Sequence, residues 1–182
     1  MVAERKLVTA DDVWNMGEDT HVEVIRGELR VMAAAGGQHG EVGGQMAGYL
    51  AVYGHHGRTG RVYTSETGLV LEKSPTLLLV PDLIYFKIEH LPGGVAPIGY
   101  FEIPPDAVLE VLSPSQRLAE LIEKVGHYQD FGVPLVWAAN PADKTVIAFY
   151  LGGRFRVYRA GEDLDGGDVL PGFSVPVDEL FP

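Results

Sequence analysis

The chain has 182 residues, of which 46% are apolar and 21% charged, with 23 glycines, 12 prolines and no cysteine. That balance fits one ordinary globular domain, and the lack of cysteine excludes a disulfide scaffold, a thiolate zinc site, an iron–sulfur cluster and a cysteine nucleophile. Fourteen basic residues against 25 acidic ones give a formal charge of -11. This excludes a surface that is one continuous nucleic-acid footprint, although not a local basic groove.

The N-terminal stretch MVAERKLVTADDVW carries charges where a signal peptide needs an apolar core. Nothing approaches the roughly 18 uninterrupted apolar residues of a membrane span. A cytoplasmic protein without a membrane partner is therefore expected. The acid is unevenly spread: Glu162, Asp163, Asp165, Asp168, Asp178 and Glu179 fall in a C-terminal stretch without Lys or Arg, and removing them leaves 19 acidic against 14 basic residues. Gly166-Gly167 and Pro171-Gly172 make this tail read as loop with a short terminal strand.

In chain order, Thr9 before Ala10–Met16 predicts a short capped helix, because its hydroxyl and the early acids suit the exposed amides there. His21–Ile25 and Glu28–Met32 read as a hairpin around Arg26-Gly27. Val42, Met46, Tyr49, Leu50 and Tyr53 line one helical face despite Gly43, Gly44 and Gly48. Arg61–Thr64, Gly68–Glu72, Asp82–Phe86 and Ala107–Leu112 are expected strands. Four prolines and three glycines between Ile88 and Pro105 predict a long surface loop of the kind that borders sites. Leu118, Leu121, Ile122, Val125 and Tyr128 keep helical spacing, and Gly132 with Pro134 supplies a stop. Leu135–Ala139, Thr145–Leu151 and Arg154–Tyr158 complete the strands, the last two joined through Gly152-Gly153. The order implies an α/β layer fold with a mixed sheet flanked by helices and extra N- and C-terminal hairpins. A single domain over residues 1–182 is expected, with a core at about 21–140 and a hairpin with the acidic tail at 144–182.

Several residues do not fit a bland core. Ala107-Val-Leu-Glu-Val-Leu112 is apolar except for Glu110, which should project into a dry layer and need a partner. A structural salt bridge is the plain alternative. Asp82 follows Pro81 at the head of another apolar strand; it is either a turn acid or, beside Glu110, half of a site for a hard cation such as Mg²⁺ or Mn²⁺. Lys124 lies at the border of the helical stripe and reaches either a carboxylate cluster or Glu120 one turn back. Glu23 alternates with apolar neighbours and reads as solvent-facing. His39 opens a helix and is either a polar starter or a site residue. His55-His56 reads as an exposed turn after that helix. No zinc motif, phosphate loop, dinucleotide fingerprint or esterase elbow is present. Ser113 and Ser115 read as turn and cap residues.

Taken together, Glu23 with Gly27-Glu28, His39, Pro81-Asp82, Glu110-Val-Leu-Ser-Pro-Ser115, Lys124, Tyr128, Gly132-Val133 and Trp137 before Asn140-Pro141 resemble the Uma-type restriction endonuclease family of the PD-(D/E)XK nuclease superfamily. The resemblance covers roughly residues 7–180. It implies a restriction-endonuclease-like core in which Asp82 and Glu110 hold Mg²⁺ or Mn²⁺ and hydrolyse a DNA phosphodiester. The superfamily's lysine would fall at Leu112; the Uma-type pattern implies that Lys124 supplies the ammonium instead, with Glu23, His39 and Tyr128 as accessory residues. A homodimer or higher homo-oligomer would let both strands be cut. The acidic balance and the departure at Leu112 motivate a second reading of a different class, a non-catalytic nuclease-fold binding or assembly module, and hydrolysis of a small phosphate ester is a third option. Arg26, Arg30, Arg58, Arg61, Lys87 and Arg117 flank the candidate site in sequence as a positive rim.

Overall fold

A computed structural model describes residues 7–17, 21–57, 59–64, 66–114 and 116–181. Helix α1 (Ala10–Trp14) begins as anticipated: the Asp12 amide donates to the Thr9 hydroxyl at 3.1 Å and the Thr9 amide to the Asp12 carboxylate at 2.9 Å. The expected hairpin is β1 (Val22–Ile25) with β2 (Glu28–Val31). Its turn holds Arg26 and Gly27 at φ 53° and 77°, and a Cβ on Gly27 would stand 2.7 Å from that of Leu7. Such a turn matches the twist of the strands it joins.

The hairpin is not an appendage. It pairs with β5 (Thr76–Leu79), which pairs with β4 (Leu69–Lys73), to give a four-stranded antiparallel sheet in the order β2-β1-β5-β4. Strand β5 is absent from the sequence expectations. Its signal is Leu77-Leu-Leu-Val80 after the Ser74-Pro75 turn, an unbroken apolar run with no alternation because both faces of the sheet are covered.

The larger sheet contains β3 (Gly60–Thr64), β6 (Leu83–Lys87), β7 (Ala107–Val111), β8 (Leu135–Asn140), β9 (Thr145–Tyr150) and β10 (Arg154–Tyr158), in the order β10-β9-β8-β7-β6-β3. Only β7 and β8 run parallel, joined by α3 (Leu118–Phe131), so the sheet is mixed. Gly132 ends α3 in the left-handed region at φ 105°.

Helix α2 (Gly37–Gly57) packs Val42, Met46 and Leu50 on one face of this sheet. The other face meets α3 and the inner side of the four-stranded sheet, through Ile84, Val108, Leu77, Leu121, Val125 and Tyr128. Leu118 and Ile122 depart from the anticipated buried stripe: they are 64% and 48% exposed, because the layer under α3 admits only one side of it. The loop after β6 carries two single-turn 3₁₀ helices and is pinned by buried Leu91 and Phe101.

The tail is more ordered than its glycines suggest. It forms β11 (Asp163–Gly166), β12 (Leu170–Pro176) and the turn α4 (Val177–Leu180), whose apolar side chains complete the core beneath α2. Among the described residues no helix is long and apolar enough to cross a membrane.

Candidate functional site

Glu110 occupies the face of β7 that looks toward α3. It is 4% exposed. The β7–α3–β8 crossover lays α3 over this strand, and Lys124 and Tyr128, one turn apart, both point down onto it. The Tyr128 hydroxyl donates to Glu110 Oε1 at 2.5 Å, and Lys124 Nζ lies 3.4 and 3.3 Å from Oε1 and Oε2. Glu120, the alternative partner for Lys124, is instead held by the Arg117 guanidinium at 2.8 Å, and its carboxylate accepts the Arg117 amide at the start of α3. Ser113 accepts the Gln116 amide through its carbonyl, a turn role as anticipated. Ser115 and Arg58 lie outside the described residues.

Asp82 follows Pro81 into β6. The register pairs Leu83 with Leu109, so one step further Asp82 stands opposite Glu110 and shares its face. Its Oδ2 accepts the Val111 amide at 2.7 Å and stands 3.3 Å from His39 Nε2. His39, in the first turn of α2, is thus drawn into the cluster instead of merely opening its helix.

Glu23 corrects the solvent-facing expectation. The alternation along β1 is present, with Val22 and Val24 facing α1 and its neighbours. The opposite face is also covered, so Glu23 is 6% exposed and reaches across the layer between the sheets. Its Oε1 accepts from Lys124 Nζ at 2.9 Å and from the Val80 amide at 3.1 Å.

Two carboxylates therefore share one ammonium while Asp82 stands beside Glu110, and the protonation of the cluster follows from burial and that imbalance. Burial pushes Glu110 up to about 7; Lys124 opposes the rise, while Asp82 and Glu23 add to it. Lys124 stays charged and is held above its usual range: burial works against its charge, but Glu110 and Glu23 together outweigh it. Burial, then the negative charge of Glu110, holds Tyr128 well above the ordinary phenol value. His39 is raised chiefly by its hydrogen bond to Asp82, against the cost of burial. A carboxylate near neutrality beside an ammonium and a phenol can bind a cation, orient water or move a proton.

The cluster opens onto a cleft of about 1480 Å³. Among the described residues, the anticipated basic rim reduces to Arg30, the one arginine lining it. Lys87 instead faces Asp106, 3.8 Å away. Trp14 and Tyr100 also line the cleft and were not singled out from sequence; a tryptophan ending a short helix beside the buried Val13 was the available signal.

Among the described residues, no three His, Asp or Glu side chains stand grouped around a single point as a ready metal shell. The donor set nonetheless suits a hard cation. Asp82 and Glu110 offer oxygen, and such ions bind through one or two carboxylates and keep several waters.

The profile of the Uma2 family, described as "Putative restriction endonuclease", matches residues 10–178. No curated protein matches the chain at a significant level. Among solved structures, the chain is similar to a putative nuclease belonging to DUF820 from Anabaena variabilis, with a TM-score of 0.80 at 19% identity over 96% of this chain and 97% of that one.

Proposed function

This chain belongs to the Uma2 family of putative restriction endonucleases, and from that premise we propose that it hydrolyses DNA phosphodiester bonds with a divalent metal, Mg²⁺ or Mn²⁺, at Asp82, Glu110 and Lys124. One observation carries the reading: Glu23 and Glu110 share a single lysine, and Asp82 brings a third carboxylate opposite Glu110, at the base of an open cleft. A purely structural pair would match one acid to one base and be sealed from solvent. Here the acids of Asp82, Glu23 and Glu110 exceed the cation, and a divalent ion would balance them.

A metal bound by Asp82 and Glu110 would polarise a nonbridging oxygen and lower the pKa of a bound water. Lys124, held against Glu110, would offer a fixed ammonium to the developing charge, where low dielectric strengthens its hold. Tyr128 and the Val111 amide fix the two carboxylates by hydrogen bonds, and Glu23 holds Lys124 in position. The contact of Lys124 with Glu110 supports its standing in for the lysine absent at Leu112.

The test is cleavage of supercoiled plasmid at low salt with Mg²⁺ or Mn²⁺. The wild type should nick or linearise it, and EDTA, Asp82→Asn and Glu110→Gln should abolish this while thermal unfolding stays cooperative. Mn²⁺ should also raise the Tm of the wild type by binding the folded state, and not that of Glu110→Gln. Intact plasmid together with no metal-induced shift would favour the non-catalytic module, for which the acidic balance speaks.

A further inference from the structure

The geometry points to single-stranded DNA, not continuous duplex, as the substrate of this cleft, gripped at one phosphate by Arg30 and at one base by Trp14. The inference rests on the nuclease reading of the same site and names its substrate class.

Charge is the first argument. Duplex binding draws its affinity from neutralising many phosphates with Lys and Arg. Among the described residues, the cleft is lined by one arginine, Arg30, and one lysine, Lys124, and the lysine is already engaged by Glu23 and Glu110. Against them stand Glu23, Glu66, Asp82, Glu110, Glu120 and Glu123. A second strand would add phosphates to a lining that already carries Glu66, Glu120 and Glu123, of which, among the described residues, only Glu120 has an arginine partner, Arg117. A single strand can present one phosphate to the one available cation. Arg30 is well placed for it: it stands opposite Glu23 in the β1–β2 register, so the two side chains share the face that carries Lys124. Its charge acts on Glu120, whose own ion pair within 4.0 Å is with Arg117.

The second argument is aromatic. Trp14 is 51% exposed on the wall of the same cleft. Its ring is not loose, because Tyr100 meets it edge-on with centroids 5.3 Å apart and planes at 85°. An open indole, fixed from behind, is a stacking platform, and stacking serves unpaired bases because a duplex keeps their faces covered. A single strand also needs only one active centre per cut.

The experiment measures anisotropy of a labelled 16-nucleotide single strand and of the matching duplex without divalent metal across a salt series, then cleavage of both with Mn²⁺. The single strand should bind and be cut at least ten-fold better. Trp14→Ala should weaken single-strand binding about ten-fold while Trp14→Phe retains most of it. Arg30→Gln should reduce the slope of log K against log salt by about 0.7, the share of one phosphate on a single strand. Tm values confirm that each variant is folded; Trp14→Phe keeps the test valid should the alanine variant unfold. Duplex cut as well as single strand in a Glu110-dependent manner, or unchanged binding in the Trp14 and Arg30 variants, would overturn this inference and leave the endonuclease reading standing. Neither form bound nor cut would overturn both.

Discussion

A carboxylate beside an ammonium is ordinarily held below its usual pKa, yet Glu110 rises to about 7. Burial is the larger effect, and Lys124 cannot cancel it while divided between Glu110 and Glu23. Between the usual carboxylate value of 4.5 and about 7, the folded protein therefore holds a proton that the unfolded chain does not. More protons bound in the folded state mean that stability falls as pH rises through this window. Glu110→Gln has no such proton to lose. In metal-free urea unfolding, its stability relative to wild type should grow by about 2–3 kcal/mol from pH 5 to pH 8, the scale of a shift of that size. Parallel pH dependence of the two proteins would show that Glu110 ionises normally. Glu110 was legible in sequence because a lone acid in an apolar run is costly wherever the strand lies. Glu23 was not, since alternation tells which residues share a face but not whether that face meets water.

Glycine has opposite meanings in two neighbouring elements. Within α2, a Cβ on Gly48 would meet nothing within 4 Å, so the glycine only adds freedom to the unfolded chain. Gly48→Ala should raise stability by about 0.5–1 kcal/mol in urea unfolding. At the start of β3, a Cβ on Gly60 would sit 1.9 Å from the hydroxyl oxygen of the fully buried Tyr85. Gly60→Ala should cost about 1–3 kcal/mol, the usual range for overpacking a core. Equal effects of the two substitutions would contradict this assignment. Helices and their ends were readable here because Thr9, the 3.6-residue period and Gly132 act locally. Strand β5 escaped because an unbroken apolar run has no period to detect, and Leu118 because spacing does not say how wide a covering layer will be.

At the scale of the molecule, the acidic tail is a structural part. Leu164, Leu170, Phe173, Val175, Val177 and Leu180 are buried in the core under α2, and Lys144 Nζ donates to the Phe181 carbonyl at 2.9 Å. Six such side chains at about 1.5–3 kcal/mol each rival the roughly 5–15 kcal/mol by which domains are stable at all. Truncation after Gly161 should abolish cooperative unfolding and near-UV circular dichroism. The exposed Asp168→Asn should change stability by no more than about 0.5 kcal/mol. A truncated chain that unfolds cooperatively would reduce the tail to an accessory.

By itself, the sequence determined the layered α/β class, most helix and strand positions, and the costly acid of Glu110 with Asp82 and Lys124 as its candidate companions. These follow from local periods, caps and the price of burying charge. Only the tertiary structure decided that the N-terminal hairpin joins β4 and β5 as a second sheet. It decided, too, that Glu23 faces inward to share Lys124, and that, among the described residues, Arg30 is the one arginine and Trp14 the one tryptophan lining the cleft. The reason is physical: a period specifies which residues share a face, while what covers that face depends on segments distant in sequence, and charge balance in a site depends on all of them together.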